Sequence, residues 1–318
     1  MRILVAESAN FSPAAARILE GAAAVTWADV DSRSLLDILP GHELLWVRLR
    51  SRIDQNMLAA APELRVVATP TTGLTHIDLQ AARDRGIAVL SLRGETDFLR
   101  TVRATAELTI GLMLSLLRKL PVAMSHATSG EWDRDQFRGR ELFGSTVGLI
   151  GLGRLGQLVA RYLEGFEANV LAYDPYVDRS KLPSNVRLCS LNELLGKADL
   201  VSLHASLTEE TEGFFGAPQF ATMRPGSLLV NTARGELVDE PALLSALTNG
   251  PLAGAALDVI ASEHTMSPGH PLLEYARRQS NLLVTPHIGG CTVNSMERTE
   301  VFLAGKVSRW IDEQRGRQ

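Results

Sequence analysis

The stretch TVGLIGLGRLGQLVARYL, residues 146–163, constrains this chain more than any other. A short apolar run leads into Gly151, Gly153 and Gly156, and an amphipathic helical pattern follows at once. With 26 glycines in 318 residues, chance supplies roughly 0.2 matches of the bare GxGxxG spacing, so the flanking strand and helix carry the signal. Strand, tight turn and helix N-terminus in that order gather backbone N–H groups where an α/β fold holds a pyrophosphate. The next apolar run, NVLAYD, ends on Asp174, 18 residues after Gly156, about where a ribose-binding acid is expected. A carboxylate there accepts from ribose hydroxyls and repels a 2′-phosphate, favouring NAD over NADP unless Arg154 or Arg179 compensates. The plainer alternative is that Asp174 caps the turn before Pro175.

A chain of 318 residues exceeds the usual size of one hydrophobic core, so two domains are expected. The apolar fraction of 45% and charged fraction of 21% are those of a soluble globular protein. A net charge of −4 provides no basic field for nucleic acid or an anionic membrane. The N-terminal MRILVAESANF lacks a signal peptide's apolar core, and no run approaches membrane-spanning length. Cys189 and Cys291 lie far apart without a CxxC pattern, which fits a reducing cytoplasm and no metal site.

The first hundred residues alternate apolar runs (RILVA, ELLWVR, LRVVAT, IAVLSL) with helical patterns, the mark of βαβ units and a parallel sheet. From Thr101 to Leu120 a long apolar helix, expected to stop at Pro121, reads as a connector whose surface invites burial against a second subunit. A second series follows, TVGLIG, NVLAYD, VRLCS, DLVSLHA, SLLVNTA, LAGAALDV and NLLVTPH, apolar without alternation as for strands covered on both faces. The segment NSMERTEVFLAGKVSRWIDEQRG reads as one helix returning to the first domain.

Three polar residues recur after strands of the second series: Arg234 after SLLVNTA, Glu263 after AALDV and His287 after NLLVTP. Converging at one sheet edge, they form an acid/base and anion-binding set. Oxidising a 2-hydroxy acid removes a hydroxyl proton as the α-hydride leaves, work suited to an imidazole. A carboxylate on its other nitrogen fixes the tautomer, and a planar guanidinium fits the substrate carboxylate. Taken singly, a His after a strand is more often structural and a Glu in the loop EHTMSPGH more often solvated.

In GLIGLGRLG, LHASLTEET, LLVNTARGELVDE, AGAALDV and TPHIGG, over most of its length, the chain resembles the D-isomer-specific 2-hydroxyacid dehydrogenases. The resemblance implies two Rossmann-like, doubly wound α/β domains with the active site in the cleft between them. Residues 1–99 and 289–318 would form the substrate domain and residues 100–288 the NAD-binding domain, dimeric through the latter. It implies Arg234, Glu263 and His287 as catalytic residues, with Arg234 also holding the substrate carboxylate. It further implies cofactor contacts from Gly151, Gly153, Arg154, Leu155, Gly156, Asp174, His204, Thr211, Thr232, Ala233, Asp258 and Gly289. Substrate contacts are implied for Thr71, Thr72 and Gly73. NAD is the expected cofactor and a small anionic 2-hydroxy or 2-oxo acid the expected partner.

Within the family, LWVRLRSRID and the stretch around TAELTIGLMLSLLRKL look most like phosphoglycerate dehydrogenases, which hold a phosphate with small-domain arginines. Arg48, Arg50 and Arg52 alternate, so a strand end would put them on one face, giving Arg50 and Arg52 as substrate residues; a solvated strand edge is the alternative. His264 stands where the family usually has Pro, Ser206 replaces a common Pro, the loop from Glu263 to His287 is long, and no regulatory domain is expected beyond Gln318. These departures leave D-3-phosphoglycerate or another phosphorylated acid as one substrate reading and glyoxylate or hydroxypyruvate as another. A non-catalytic NAD-sensing protein is the reading from a different class; formate oxidation fits less, since that relative pairs its His with Gln.

Overall fold

The computed structural model describes every residue except Ser262, His264, Thr265, Arg317 and Gln318, and the side chain of Lys181. The expectation about His264 therefore lies outside the described residues. The chain divides into two units, Met1–Val102 with Thr292–Gln318, and Arg103–Cys291.

The first unit is built on a five-stranded sheet. Its strands are β1 (Arg2–Val5), β2 (Ala24–Trp27), β3 (Leu44–Trp46), β4 (Val66–Ala68) and β5 (Ala88–Leu90), in the order β2-β1-β3-β4-β5. Every pairing is parallel. Alternate side chains serve opposite faces. Leu4, Leu45 and Val67 pack with Leu35, Met57, Leu58 and Ala81. Ile3, Val5, Leu44, Trp46 and Val66 pack with Leu19 of the helix Pro13–Ala22 and with Leu303, Val307 and Ile311 of the helix Val293–Arg315. β2 was not legible as an apolar run because it is an edge strand, with only Val25 even partly buried.

The second unit carries a seven-stranded sheet. Its strands are β6 (Thr146–Ile150), β7 (Asn169–Tyr173), β8 (Val186–Leu188), β9 (Leu200–Leu203), β10 (Ser227–Asn231), β11 (Leu252–Leu257) and β12 (Leu282–Val284). The order is β12-β11-β10-β9-β6-β7-β8, all parallel, so the chain reverses its direction of winding between β6 and β9. Separate cores cover the two faces, one around Phe215, Leu229 and Leu243, the other around Met113, Val147 and Val159.

Three expectations need correction. Pro121 does not stop a helix: the helix Ala104–Leu117 has already ended at Arg118 and Lys119, and Pro121 lies in the first turn of a new helix, Leu120–Thr128. A first-turn proline lacks only an N–H that would have no intrahelical partner, and its φ suits a helix. Nor does Ala104–Leu117 present an open apolar surface, since Ala106, Ile110, Leu112, Met113 and Leu117 are buried within the second unit's own core. The stretch between Glu263 and His287 is not one long loop either, for it contains the helix Pro271–Arg278 and β12. No single helix among the described residues is long and apolar enough to cross a membrane.

Candidate active site

The carboxyl ends of the parallel strands in the second unit lie along one edge, and the reversal between β6 and β9 opens a crevice there. The three glycines meet different demands. Gly151 has φ +93°, and a Cβ on it would stand 2.6 Å from the backbone nitrogen of Ala205. A Cβ on Gly156 would stand 2.2 Å from the carbonyl oxygen of Gly151, so only glycine lets the helix approach the turn. At Gly153, the N-cap of the helix Arg154–Gly165, a Cβ would meet nothing within 4 Å. That is the opening through which a ligand reaches the backbone N–H groups. A cleft of about 1040 Å³ opens beside it, lined by Gly151, Gly153, Asp174, His204, Thr208 and Thr211 among others.

Asp174 follows β7 directly, and its carboxylate is already engaged. It accepts from the backbone N–H of Leu152 (2.7 Å) and of Tyr176 (2.9 Å), so it closes the turn before Tyr176 and tethers the glycine loop while lining the cleft. Leu155 packs into the core and burial pulls the Arg154 guanidinium below its usual range. His204 is held by Ser202 (Nε2 to Oγ, 3.0 Å), and burial pushes its imidazole down to about 4, so it stays neutral at ordinary pH. Thr211 donates to the Ser206 carbonyl (2.7 Å), shaping the rim.

Arg234, Glu263 and His287 all belong to this second unit, past the ends of β10, β11 and β12. His287 Nδ1 lies 2.6 Å from Glu263 Oε1. Burial pulls the Arg234 guanidinium below its usual range, opposed by the nearby charges of Glu263 and Glu236. Asn231 shapes the turn after β10, its side chain accepting from Ala233 N–H (3.0 Å) and donating to the Arg234 carbonyl (2.8 Å). Thr232 is fixed by Thr109 (2.8 Å between hydroxyls).

His287 has φ +54°, a left-handed backbone unusual for a residue with a Cβ. Asp258 holds it there. Its buried carboxylate accepts from the Thr285 hydroxyl (2.6 Å) and from the N–H groups of Ile288 (2.8 Å) and Gly289 (2.7 Å), and its carbonyl accepts from His287 N–H (2.9 Å). A Cβ on Gly289 would stand 2.9 Å from that carboxylate. The loop bearing Glu263 is held similarly, since Ala261 N–H donates to Glu240 (2.7 Å), which pairs with His270 (3.4 Å). Asn231, Thr285, Glu240 and His270 stood in or beside the motif stretches, but pattern alone gives no sign of which backbone groups they hold.

Thr71–Gly73, Arg50 and Arg52 belong to the first unit. Thr71 donates to the Gly73 carbonyl (2.8 Å) and meets Thr69 (3.1 Å), whose hydroxyl reaches the Arg48 carbonyl (3.3 Å). The two loops thus form one surface at the carboxyl ends of β3 and β4. The expected strand spacing of Arg48, Arg50 and Arg52 is not found, because β3 stops at Trp46 and the chain bends from Leu49 to Ser51. Arg48 is bound to buried Glu300, Arg50 pairs with Asp29, and Arg52 is exposed.

A parallel sheet covered by helices on both faces, with a glycine turn at its switch point and an Arg/Glu/His set on the same edge, defines the class of nucleotide-binding α/β proteins with acid/base groups. This chain belongs to the D-isomer specific 2-hydroxyacid dehydrogenases, whose NAD-binding-domain model matches residues 110–289. It is 38% identical over 307 residues to the D-3-phosphoglycerate dehydrogenase of Mycobacterium tuberculosis, covering 96% of this chain and 56% of that protein. The chain thus spans about half the length of that relative. It is 34% identical over 287 residues to the hydroxypyruvate reductase of Thermotoga maritima, covering 89% of each. Among solved structures, the D-lactate dehydrogenase of Aquifex aeolicus with NAD and lactic acid superposes with a TM-score of 0.85 at 27% identity, covering 98% of this chain and 96% of that one.

Proposed function

We propose that this chain is an NAD-dependent dehydrogenase exchanging a hydride between the cofactor and a small D-2-hydroxy acid or its 2-oxo acid. The contact that carries this reading is His287 Nδ1 to Glu263 Oε1 at 2.6 Å. An ionised carboxylate only accepts, so the Nδ1 proton stays on the ring and Nε2 is left to exchange a proton with the substrate hydroxyl. Glu263 also stabilises the imidazolium formed when His287 takes that proton. Arg234 is the fork for the substrate carboxylate, and its desolvated guanidinium attracts an anion more strongly than one in water. NAD, when bound, supplies or receives the hydride. The glycine cradle fits its pyrophosphate, and Asp174 at the rim favours a ribose without a 2′-phosphate. Asp258 and Gly289 position the His287 loop, while Thr232, Ala233, His204 and Thr211 line the cofactor's course.

Following NADH absorbance with a panel of 2-oxo acids tests this directly. His287→Ala lowers kcat by about 10²- to 10⁴-fold while NADH fluorescence titration still shows binding. NADH binding without turnover of any 2-oxo acid overturns the reading in favour of a sensing protein, and a preference for NADPH overturns the role of Asp174.

We further propose that the protein works as a homodimer in the cytoplasm. Met124, Trp132 and Phe143 are 62%, 90% and 65% exposed along one stretch of the second unit, apolar area that a second copy would cover. Cys189 and Cys291 are both free, as suits a reducing compartment.

A further inference from the structure

We propose that Glu210, fastened by Tyr176, is a further specificity residue of the cofactor cleft and turns away a dinucleotide that carries a 2′-phosphate. The inference deepens the proposed function and rests on its reading that the cleft beside the glycine turn holds NAD. Both residues belong to the second unit, Tyr176 in the loop after β7 and Glu210 in the loop after β9. The charged lining of the cleft is one-sided: among the described residues it holds Asp174, Glu209 and Glu210, and neither a lysine nor an arginine. Arg154 and Arg179, the cations that would offset Asp174, are not part of that lining.

Two turns fix where these carboxylates stand. After β7, Asp174 accepts from Leu152 N–H with Oδ2 and from Tyr176 N–H with Oδ1, so each of its oxygens already has a backbone donor. After β9, Glu209 and Glu210 are the two middle residues of a turn closed twice, by Thr211 N–H to the Thr208 carbonyl (3.1 Å) and by Thr208 N–H to the Thr211 hydroxyl (2.8 Å). That hydroxyl also donates to the Ser206 carbonyl (2.7 Å), which ties the turn back to the chain leaving β9. The backbone therefore presents both glutamates from one rigid corner.

Tyr176 joins the two loops. Its N–H donates to Asp174 Oδ1 (2.9 Å) and its hydroxyl to Glu210 Oε2 (3.3 Å), so a single tyrosine separates the two carboxylates. A solvated glutamate without such a contact spreads its charge over many rotamers. Held by Tyr176, the Glu210 charge stays in the lining of the cleft that Asp174 also lines. An unphosphorylated ribose offers hydroxyls, and the Asp174 oxygens can accept from them with the lone pairs the backbone leaves free. A 2′-phosphate instead brings about −1.5 to −2 of charge, which meets Asp174, Glu209 and Glu210 in the same sign. Tyr176 and Glu210 are both exposed, so the repulsion is that of solvated charges, a few-fold effect that salt weakens.

Fluorescence titration of the full chain with NADH and with NADPH tests this. The two differ only in the 2′-phosphate, so a general loss of binding cancels in the ratio of their dissociation constants, NADPH over NADH. That ratio is expected to be at least about ten for the wild type, and Glu210→Gln to lower it about fivefold in about 20 mM NaCl but less than about twofold in about 0.5 M. Tyr176→Phe, which removes only the hydroxyl, is expected to lower the ratio in the same sense, and to change it no further when added to Glu210→Gln. Wild-type binding of NADPH as tight as that of NADH overturns the inference, while turnover of a 2-oxo acid with either cofactor leaves the dehydrogenase reading in place. A preference for NADH that Glu210→Gln does not lower, or lowers equally at both salt concentrations, overturns the role of Glu210. A Tyr176→Phe ratio equal to that of the wild type overturns the role of Tyr176. Binding of neither dinucleotide overturns the cofactor reading and this inference with it.

Discussion

His287 shows how one residue can be readable in type and unreadable in geometry. Its place after a strand marked it as a candidate base, yet nothing in TPHIGG announces a left-handed backbone held by Asp258, which lies just past the end of β11. Gly151 is the opposite case, because strand–glycine–helix order demands a residue without Cβ and the structure has one at φ +93°. Gly151→Ala should therefore cost more than about 2 kcal/mol in urea unfolding and abolish NADH binding by fluorescence, since both the backbone angle and the Ala205 contact oppose it. His204 predicts a pH dependence. Its imidazole, near 6.5 in an unfolded chain, is pushed down to about 4 in the folded one. Between those values the unfolded chain binds the extra proton. Stability is full above about pH 6.5 and falls by up to ~3 kcal/mol as the pH drops toward 4. Burial raises the Asp258 and Glu240 carboxyls, and those act in the opposite sense, losing stability as pH rises. Urea midpoints at pH 7.5 and 4.5 should accordingly drop less in His204→Asn than in the wild type.

At the scale of elements, apolar runs located the strands that are buried and missed β2, whose side chains face solvent along an edge. Pro121 misled for a related reason: proline excludes a helix interior but suits a first turn, and only the break at Lys119, with φ +53°, separates the two cases. The arginines after β3 misled because a strand period was extended past the strand's end. The loop carrying Glu263 offers a test at this scale. Glu240 holds Ala261 N–H two residues before Glu263, so Glu240→Ala should lower kcat about tenfold through a looser Glu263, while the NADH dissociation constant stays within twofold. Glu240→Gln keeps an acceptor for Ala261 and should recover most of that loss; equal losses in both variants would exclude a positioning role.

For the whole molecule, each unit has its own sheet and cores, and the first closes only when the helix Val293–Arg315 returns to it. Glu300 on that helix binds Arg48 and caps the turn at Ser12, so Glu300→Ala should destabilise the first unit by roughly 3 kcal/mol, read as a shift in its urea midpoint. The exposed apolar stretch predicts that sedimentation velocity gives twice the 34.5 kDa chain mass and that Trp132→Asp shifts the protein toward monomer. Periodicity and glycine spacing, local properties of consecutive residues, were enough by themselves to determine two parallel-sheet α/β units, a nucleotide turn and three candidate residues for chemistry. Which donors each carboxylate meets was decided only by tertiary structure, because Asp258, Glu240, Asp29 and Glu300 find their partners across strands and loops far apart in sequence. Electrostatic pairing depends on distance and burial, and neither is written in the order of the residues.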